Sequence, residues 1–433
     1  MIPDLELRAA CEADAEEVSS LLTSCFNTFS EFGMTGKKWL EYQKIQPGFT
    51  LQGSHVAVLG KRIVGHVQTV WRLIRISKHS AVNIGGIANV CTLPEYRRKG
   101  IATALLNEAH DLMERKDVPI AGLLTEPDGI PWRLYKKMGY DKIAAITKFV
   151  SQMDLMSRRP NGTSRTSFVK TRSYKEGDEH ALLQLYDEIT ENLAGTVKRE
   201  GDYWERRYKH VFAFNGFFYE DFDPENIIVT EGSKGLSGYC FNHLMDGVGY
   251  ITELLAHEPY YENTMALVDA ALDRFTSKGA HSLVLFCPKE TPMMECLIRS
   301  FGGKPIESEV ETYMLKVLNP QKTLEVIREE TCLRECAQHE RDVVLEFIVG
   351  GKSAFLSIQG DNVEVGTEGP RHGTQRTAKI STTNLGFVSL LFGVVAPSEL
   401  YSKGHLFCQT DWLPLLSRLF PQRARYLFPG DFW

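Results

Sequence analysis

The chain has 433 residues and a net charge of −6, with hydrophobic residues at 43% and charged residues at 24%. That length exceeds one ordinary core and suits two or three domains, with ample apolar surface to bury. The acidic balance excludes bulk nucleic-acid binding, because no surplus of cations can neutralise phosphates, and it suits a small cationic acceptor.

The N-terminus, MIPDLELRAACEADAEE, is acidic and lacks the apolar run of a secretory signal. LELRAA opens the pattern as a strand. DAEEVSSLLTSCF follows as a helix, with Val18, Leu21, Leu22 and Phe26 at helical spacing, and a second short helix covers Gly36 to Lys44. Three strands come next: His55–Leu59, Ile63–Ile76 and Val82–Thr92, the last stopped by Pro94. KGIATALLNEAHDLMERK is an amphipathic helix, Ile120–Thr125 a strand and PWRLYKKMG a short helix. Residues Met156 to Thr166 are polar, basic and turn-rich, as a linker is. The pattern then recurs: FVKTRSY as a strand, DEHALLQLYDEIT as a helix, three strands in NIIVTEG, LSGYCFNHL and GYITELLAH, a long helix from YENTMALVD, then SLVLFC and a final helix TPMMECLIRSFGG. This is an internal repeat of about 150 residues. After Asn319–Pro320, paired short strands (VVLEFIVGG, SAFLSIQG, NVEVGTEG), TAKISTTNLGFVSLLFGV and a helix DWLPLLSRLF describe a compact α+β module. No run is long enough to span a bilayer. The nine cysteines lack framework spacing, and Cys332 and Cys336 share a helix face with no second pair to complete a metal site, so they read as reduced thiols of a cytoplasmic protein with no bound metal.

The strongest chemistry lies in Arg97, Arg98, Lys99, Gly100, Ile101 and Ala102, directly after a strand and opening a helix. A helix start offers free N–H groups and a positive dipole end, Gly100 lets an anion approach them, and the three cations add to the pull. In its context, GIANVCTLPEYRRKGIATALL resembles the acetyl-CoA signature of the GNAT superfamily of N-acetyltransferases. The layout of the whole chain resembles the Eis family within it: an active GNAT domain, a degenerate one, and a C-terminal domain like sterol carrier proteins.

That resemblance implies an α/β (α+β) protein of two tandem GNAT folds and a sterol-carrier-like module. The domains would be residues 1–155, 167–319 and 320–433, with the linker at 156–166, in an assembly of several copies such as a hexamer. It implies acetyl-CoA as acyl donor. Val90 and Thr92 would pair with the pantetheine arm, with Cys91 between them; Arg98 to Thr103 would hold the pyrophosphate beside Arg97, and Ile130 and Pro131 would meet the donor from the next helix. Tyr135 matches the usual general acid, a phenol able to donate to the departing thiolate. The strand Val82–Val90 carries no Asp or Glu to serve as base. In the Eis family that role falls to the terminal carboxylate, here that of Trp433, with Asp431 as a rival. Phe29, Glu31, Phe32 and Trp39 mix aromatic surface with a negative charge and would face a cationic amine. The second repeat reads HEPYYENTMALVD at the matching helix start, without Gly, Arg or Lys and with Glu258 and Glu262, which would repel a pyrophosphate. Its Glu253 sits where a base would, as a relic or a packing partner. The expected activity is transfer of acetyl to a primary amine, aminoglycoside-like, polyamine-like or a lysine side chain. The alternative is a non-catalytic lipid or small-molecule binder using the third domain, with Phe387, Leu390, Leu391, Leu406 and Phe407 around a cavity.

Overall fold

The computed structural model describes residues 4–152, 169–207, 212–214, 217–219, 223–233, 235–286, 294–295, 300, 308–330, 342–359, 362–369 and 376–431. The first repeat runs β1 (Leu5–Ala9), α1 (Ala15–Cys25), α2 (Asn27–Glu31), α3 (Gly36–Ile45), β2 (Ser54–Leu59), β3 (Arg62–Arg75), β4 (Ala81–Thr92), α4 (Ile101–Arg115), β5 (Ile120–Thr125), α5 (Ile130–Lys137) and β6 (Asp141–Gln152). Val18, Leu21 and Leu22 form the buried stripe of α1. On α4 the stripe is Ile101, Leu105, Ala109 and Met113, and full burial of such a leucine contributes about 2 kcal/mol. Two glycines let α4 settle on the sheet: a Cβ on Gly65 would stand 2.8 Å from the Ile101 Cγ2, and one on Gly85 2.4 Å from the Met113 Cε.

The second repeat contains β7 (Lys170–Ser173), α6 (Glu179–Thr190), α7 (Tyr203–Arg207), a hairpin of β8 (Phe212–Phe214) and β9 (Phe217–Tyr219), β10 (Ile227–Gly232), β11 (Gly235–Met245), β12 (Val248–Ala256), α8 (Tyr260–Ser277), β13 (Ser282–Phe286) and β14 (Ser308–Val317). The helix-on-sheet device recurs, since a Cβ on Gly249 would meet the Phe275 ring at 2.3 Å.

Among the described residues, twelve strands form one sheet in the order β1-β2-β3-β4-β5-β14-β6-β13-β12-β11-β10-β7. Sequence reading ended each repeat at its last helix; the structure adds a strand to each, β6 and β14, and exchanges them. β14 lies against β5 with Met314 opposite Leu123, and against β6 with Tyr313 opposite Ala144. β6 in turn pairs with β13, Phe149 opposite Leu285. Each repeat's last strand thus sits between a strand of its own repeat's partner and that partner's last strand, and the two repeats share a continuous hydrogen-bonded sheet.

The C-terminal module has α9 (Pro320–Glu325), β15 (Val343–Val349), β16 (Lys352–Gln359), β17 (Asn362–Gly366), β18 (Arg376–Thr382), α10 (Asn384–Leu391), α11 (Pro397–Ser402), β19 (Leu406–Phe407) and α12 (Leu413–Leu419). Its five strands order as β17-β16-β15-β18-β19. Phe387, Leu390, Leu391 and Leu406 are core side chains, each at most 2% exposed, while Phe407 is 55% exposed. The helix read in TPMMECLIRSFGG, the 156–166 linker and the Cys332–Cys336 pair fall largely or wholly outside the described residues.

One extended segment joins all three parts. Arg75 N–H donates to the Thr196 carbonyl and Lys198 N–H to that of Leu73, both at 2.8 Å; on the other side Ala194 N–H reaches the Ala424 carbonyl and Tyr426 N–H that of Ala194, both at 2.9 Å. The C-terminal segment is thereby held against the second repeat, and Tyr426, Leu427 and Phe428 are buried.

Candidate functional site

The site begins with a defect in the sheet. β3 and β4 pair Gln68 with Ala88 and His66 with Cys91, so Asn89 and Val90 face Val67 alone as a β-bulge. Asn89 adopts the left-handed conformation, φ 52. His66 holds it there: the Asn89 carbonyl accepts from His66 Nδ1 at 3.1 Å, and the Ser54 hydroxyl donates to Nε2 at 2.7 Å. The carbonyl can only accept, so Nδ1 carries a proton. Burial lowers the His66 pKa to about 4. A depressed histidine stabilises the fold fully above the ordinary value of 6.5, and that stability is lost as pH falls toward 4. The expected result is a loss of about 3 kcal/mol from this group between pH 6.5 and 4, read as a falling urea midpoint; His66→Gln should flatten part of that slope.

The bulge splays β4 from its parallel neighbour. Their register runs from Ile84–Ile120 to Ile87–Leu123, and the edge of β4 from Ala88 to Thr92 turns away from β5. Past this edge the chain crosses a short 3₁₀ turn, Pro94–Tyr96, into the Arg97–Gly100 loop. Arg98 and Gly100 both have positive φ, 61 and 85. Alternation of ordinary and left-handed residues turns successive N–H groups inward as an anion-binding nest, and α4 adds its own N-terminal amides. Gly100 caps the helix, and a Cβ placed there meets no protein atom within 4 Å. Arg97 Nε donates to the Thr92 carbonyl at 3.1 Å, tying the loop back to the strand end.

These elements enclose a cleft of about 710 Å³ lined by Cys25, Phe26, Val90, Cys91, Thr92, Tyr96, Arg97, Arg98, Gly100, Ile101, Ala102, Thr103, Ile130, Pro131, Leu134 and Tyr135. Of the residues expected at the donor site, only Lys99 stands off, with its ammonium 5.1 Å from the Tyr96 ring centre. Ile130 is 85% exposed on the rim. Tyr135 is buried, packs at 5.9 Å against Tyr140, and burial pushes its hydroxyl up to about 12, so it is protonated at neutral pH. Tyr140 is a core residue whose hydroxyl is engaged by His110 Nε2 at 2.7 Å.

The expected acceptor side is corrected in part. Trp39 is 1% and Phe29 7% exposed, so both are core side chains beneath the surface rather than a binding face. Burying rings of this size outweighs leaving them open to a ligand. Glu31 is exposed, and Phe32, half-buried, carries the Lys38 ammonium 4.3 Å from its ring centre. Trp433 lies outside the described residues.

Asp431 is described and is no base. It is 0% exposed and accepts from Arg199 Nε at 3.1 Å and Nη2 at 3.0 Å, and from the hydroxyls of Tyr186 and Tyr203. The same Arg199 grips Glu253 through both terminal nitrogens, at 2.8 and 2.6 Å, and Tyr239 donates to Glu253 as well. Glu253 is therefore a packing partner. Sequence reading lacked Arg199, because nothing local marks it. The helix start of the second repeat is tied up by its own chain: Asn263 Nδ2 donates to the His257 carbonyl at 3.0 Å, and the Ser237 hydroxyl donates to Asn263.

Sequence reading also missed Cys25, Phe26, Tyr96 and Leu134 in the cleft, and Glu311 on β14. The strand exchange sets Glu311 beside the end of β5, next in register to the Thr312–Thr125 pair. Burial and then the nearby Glu126 raise its carboxyl to about 7.

Residues 6–143 match the model of the acetyltransferase (GNAT) domain. The structure as a whole is similar to a probable N-acyltransferase of Enterococcus faecalis (TM-score 0.71, 14% identity, covering 99% of this chain and 100% of that one). It is similar as well to a GCN5-related N-acetyltransferase of Anabaena variabilis (0.68, 15%, 99% and 100%) and to Eis1 of Mycobacterium abscessus (0.61, 14%, 99% and 100%). No curated protein matches the chain. The first repeat is thus a GNAT acetyltransferase domain. The protein is an acyltransferase, and acetyl-CoA is its donor.

Proposed function

We propose that the protein moves acetyl from acetyl-CoA to a primary amine of a small cationic acceptor, aminoglycoside- or polyamine-like, or of a lysine side chain, within the cleft between β4 and α4. The observation that carries this reading is the meeting, in one cleft, of a splayed strand edge, an anion nest and a protonated tyrosine. The residues fit the donor. The Arg98–Thr103 amides and the cations beside them suit a diphosphate, the Val90–Thr92 edge offers backbone groups to an extended amide arm, and Ile130 and Pro131 give it an apolar wall. Acetyl-CoA supplies an activated thioester. The chain's own groups do the rest: the nest and strand edge align it, which for a direct attack supplies much of the rate, and Tyr135 donates a hydrogen bond where thiolate charge develops. The test is a thiol-release screen over an amine library; no turnover with any primary amine would overturn the reading.

Tyr135→Phe should lower kcat about tenfold to a hundredfold while leaving acetyl-CoA affinity nearly unchanged, the mark of an interaction made mainly in the transition state. Steady-state kinetics with calorimetry checks this.

For the base we propose the α-carboxylate of Trp433, supported by the anchoring of the chain up to Asp431 in the Arg199 cluster. Adding residues after Trp433 should then abolish transfer with acetyl-CoA binding intact. A second reading rests on Glu311: its carboxyl near 7 would give a rate that rises with pH through about 7 and loses that limb in Glu311→Gln. An extended chain that keeps full turnover rules out the terminal carboxylate, and only loss of the pH limb in Glu311→Gln then decides for Glu311.

A further inference from the structure

Two thiols distant in sequence line one cleft. Cys25 ends α1, half-buried, with its sulfur 3.9 Å from the Thr92 carbonyl oxygen and 3.7 Å from the Ser24 hydroxyl. Cys91 comes from β4, directly after the bulge, and is 6% exposed. Both line the cleft, and the Cys25 sulfur lies against the carbonyl of Thr92, the residue that follows Cys91. Arg97, anchored on the same Thr92 carbonyl, brings its guanidinium alongside. Cys91, Ser24 and Arg97 favour the thiolate at Cys25, while the Cys25 sulfur favours the thiol at Cys91. The neighbouring Cys91 first, then Ser24 and Arg97, hold the Cys25 thiol at about 6 against the opposing effect of burial, while the Cys25 sulfur and burial push Cys91 up. An anionic, partly accessible sulfur beside a protonated one is the arrangement of an attacking thiol and its resolving partner.

We infer that Cys25 and Cys91 form a peroxide-reactive pair that closes to a disulfide across the donor cleft. The Cys25 thiolate attacks one peroxide oxygen, the O–O bond breaks, and Cys25 becomes a sulfenic acid as hydroxide leaves. The Cys91 sulfur then attacks the sulfenic sulfur; the S–S bond forms, the S–O bond breaks, and water departs with the Cys91 proton. The two thiols lose two electrons and one peroxide is reduced to water and hydroxide. The new bond draws the end of α1 onto the Val90–Thr92 edge. On the donor placement proposed above, which this consequence rests on, the oxidised protein loses its grip on acetyl-CoA.

The experiment treats the full-length protein with hydrogen peroxide, maps its peptides by mass spectrometry, and titrates acetyl-CoA calorimetrically before oxidation, after it and after dithiothreitol. A cross-linked Cys25–Cys91 peptide, tenfold or more loss of acetyl-CoA affinity and recovery on reduction support the inference. In Cys91→Ser the oxidation should stop at sulfenic or sulfinic acid on Cys25, and in Cys25→Ser position 91 should stay unmodified. At pH 6, iodoacetamide should alkylate Cys25 in the folded chain about tenfold faster than in the urea-unfolded chain. Absence of the cross-linked peptide, or equal alkylation rates, overturns the pair. A disulfide that leaves acetyl-CoA affinity unchanged overturns its control of the cleft. If the reduced protein itself binds no acetyl-CoA, the donor placement fails, and the peptide map still judges the thiols.

Discussion

Arg199→Leu should destabilise the protein by about 3–5 kcal/mol, because it strands two buried carboxylates with no cation between them. Arg199 is 2% exposed at its side chain, Glu253 1% and Asp431 0%. Its guanidinium carbon also lies 3.6 Å from the Tyr186 ring centre, so its removal opens a gap in the packing. Burial already raises the Glu253 carboxyl against the pull of Arg199. Without the arginine no cation opposes that penalty, the Tyr239 hydrogen bond alone falls short of it, and at least one carboxyl must take a proton. Replacing all three groups together, with Arg199→Met, Glu253→Leu and Asp431→Leu, should restore much of the loss, since a packed apolar triad needs no charge balance. Urea unfolding of the two variants checks the comparison; a loss below about 1 kcal/mol in Arg199→Leu would show that the cluster contributes little to stability. The cluster also pins the C-terminal segment, so Arg199→Leu should impair turnover more than acetyl-CoA binding if the terminal carboxylate is the base.

Arg98→Glu should weaken acetyl-CoA binding about a hundredfold, equivalent to ~3 kcal/mol, and remove the rise in melting temperature that the donor produces by mass action. The substitution turns an attractive charge into a repulsive one at the mouth of the nest. Arg98→Gly separates charge from backbone. Position 98 sits at φ 61, where a residue with a Cβ costs about 1–2 kcal/mol, so glycine there should leave the fold as stable or more so. Its affinity should fall less than that of Arg98→Glu. Calorimetry and thermal shift on the three proteins distinguish the cases, and a donor-induced shift that survives Arg98→Glu would place the diphosphate elsewhere.

The legible part of the site is contiguous. From Val90 to Tyr135 the chain supplies strand edge, turn, nest, helix start and tyrosine in order. Each follows from a local rule: Pro94 ends a strand, Gly100 takes a conformation that other residues avoid, and Ile101, Leu105 and Ala109 mark one face of a helix. The misreadings have local causes too. Trp39 and Phe29 have the composition of a binding face, but composition does not tell which way a ring points. β6 and β14 were passed over because a strand deep in a sheet is covered on both faces, and Ile143, Ala144 and Ile146 on β6 show no clean alternation.

Sequence by itself therefore determined the strand end, turn and helix start from Pro94 to Ile101, the recurrence of one element order along the chain and the lack of a glycine-capped helix start in the second copy, because each depends on residues within one turn, strand end or helix start. Tertiary structure alone decided the exchange of β6 and β14, the meeting of Arg199 with Glu253 and Asp431, and the placing of Cys25 and Cys91 in one cleft. Periodicity shows that a segment has a buried face, but which distant segment covers it depends on sheet order and register, and those are settled only when the whole chain packs.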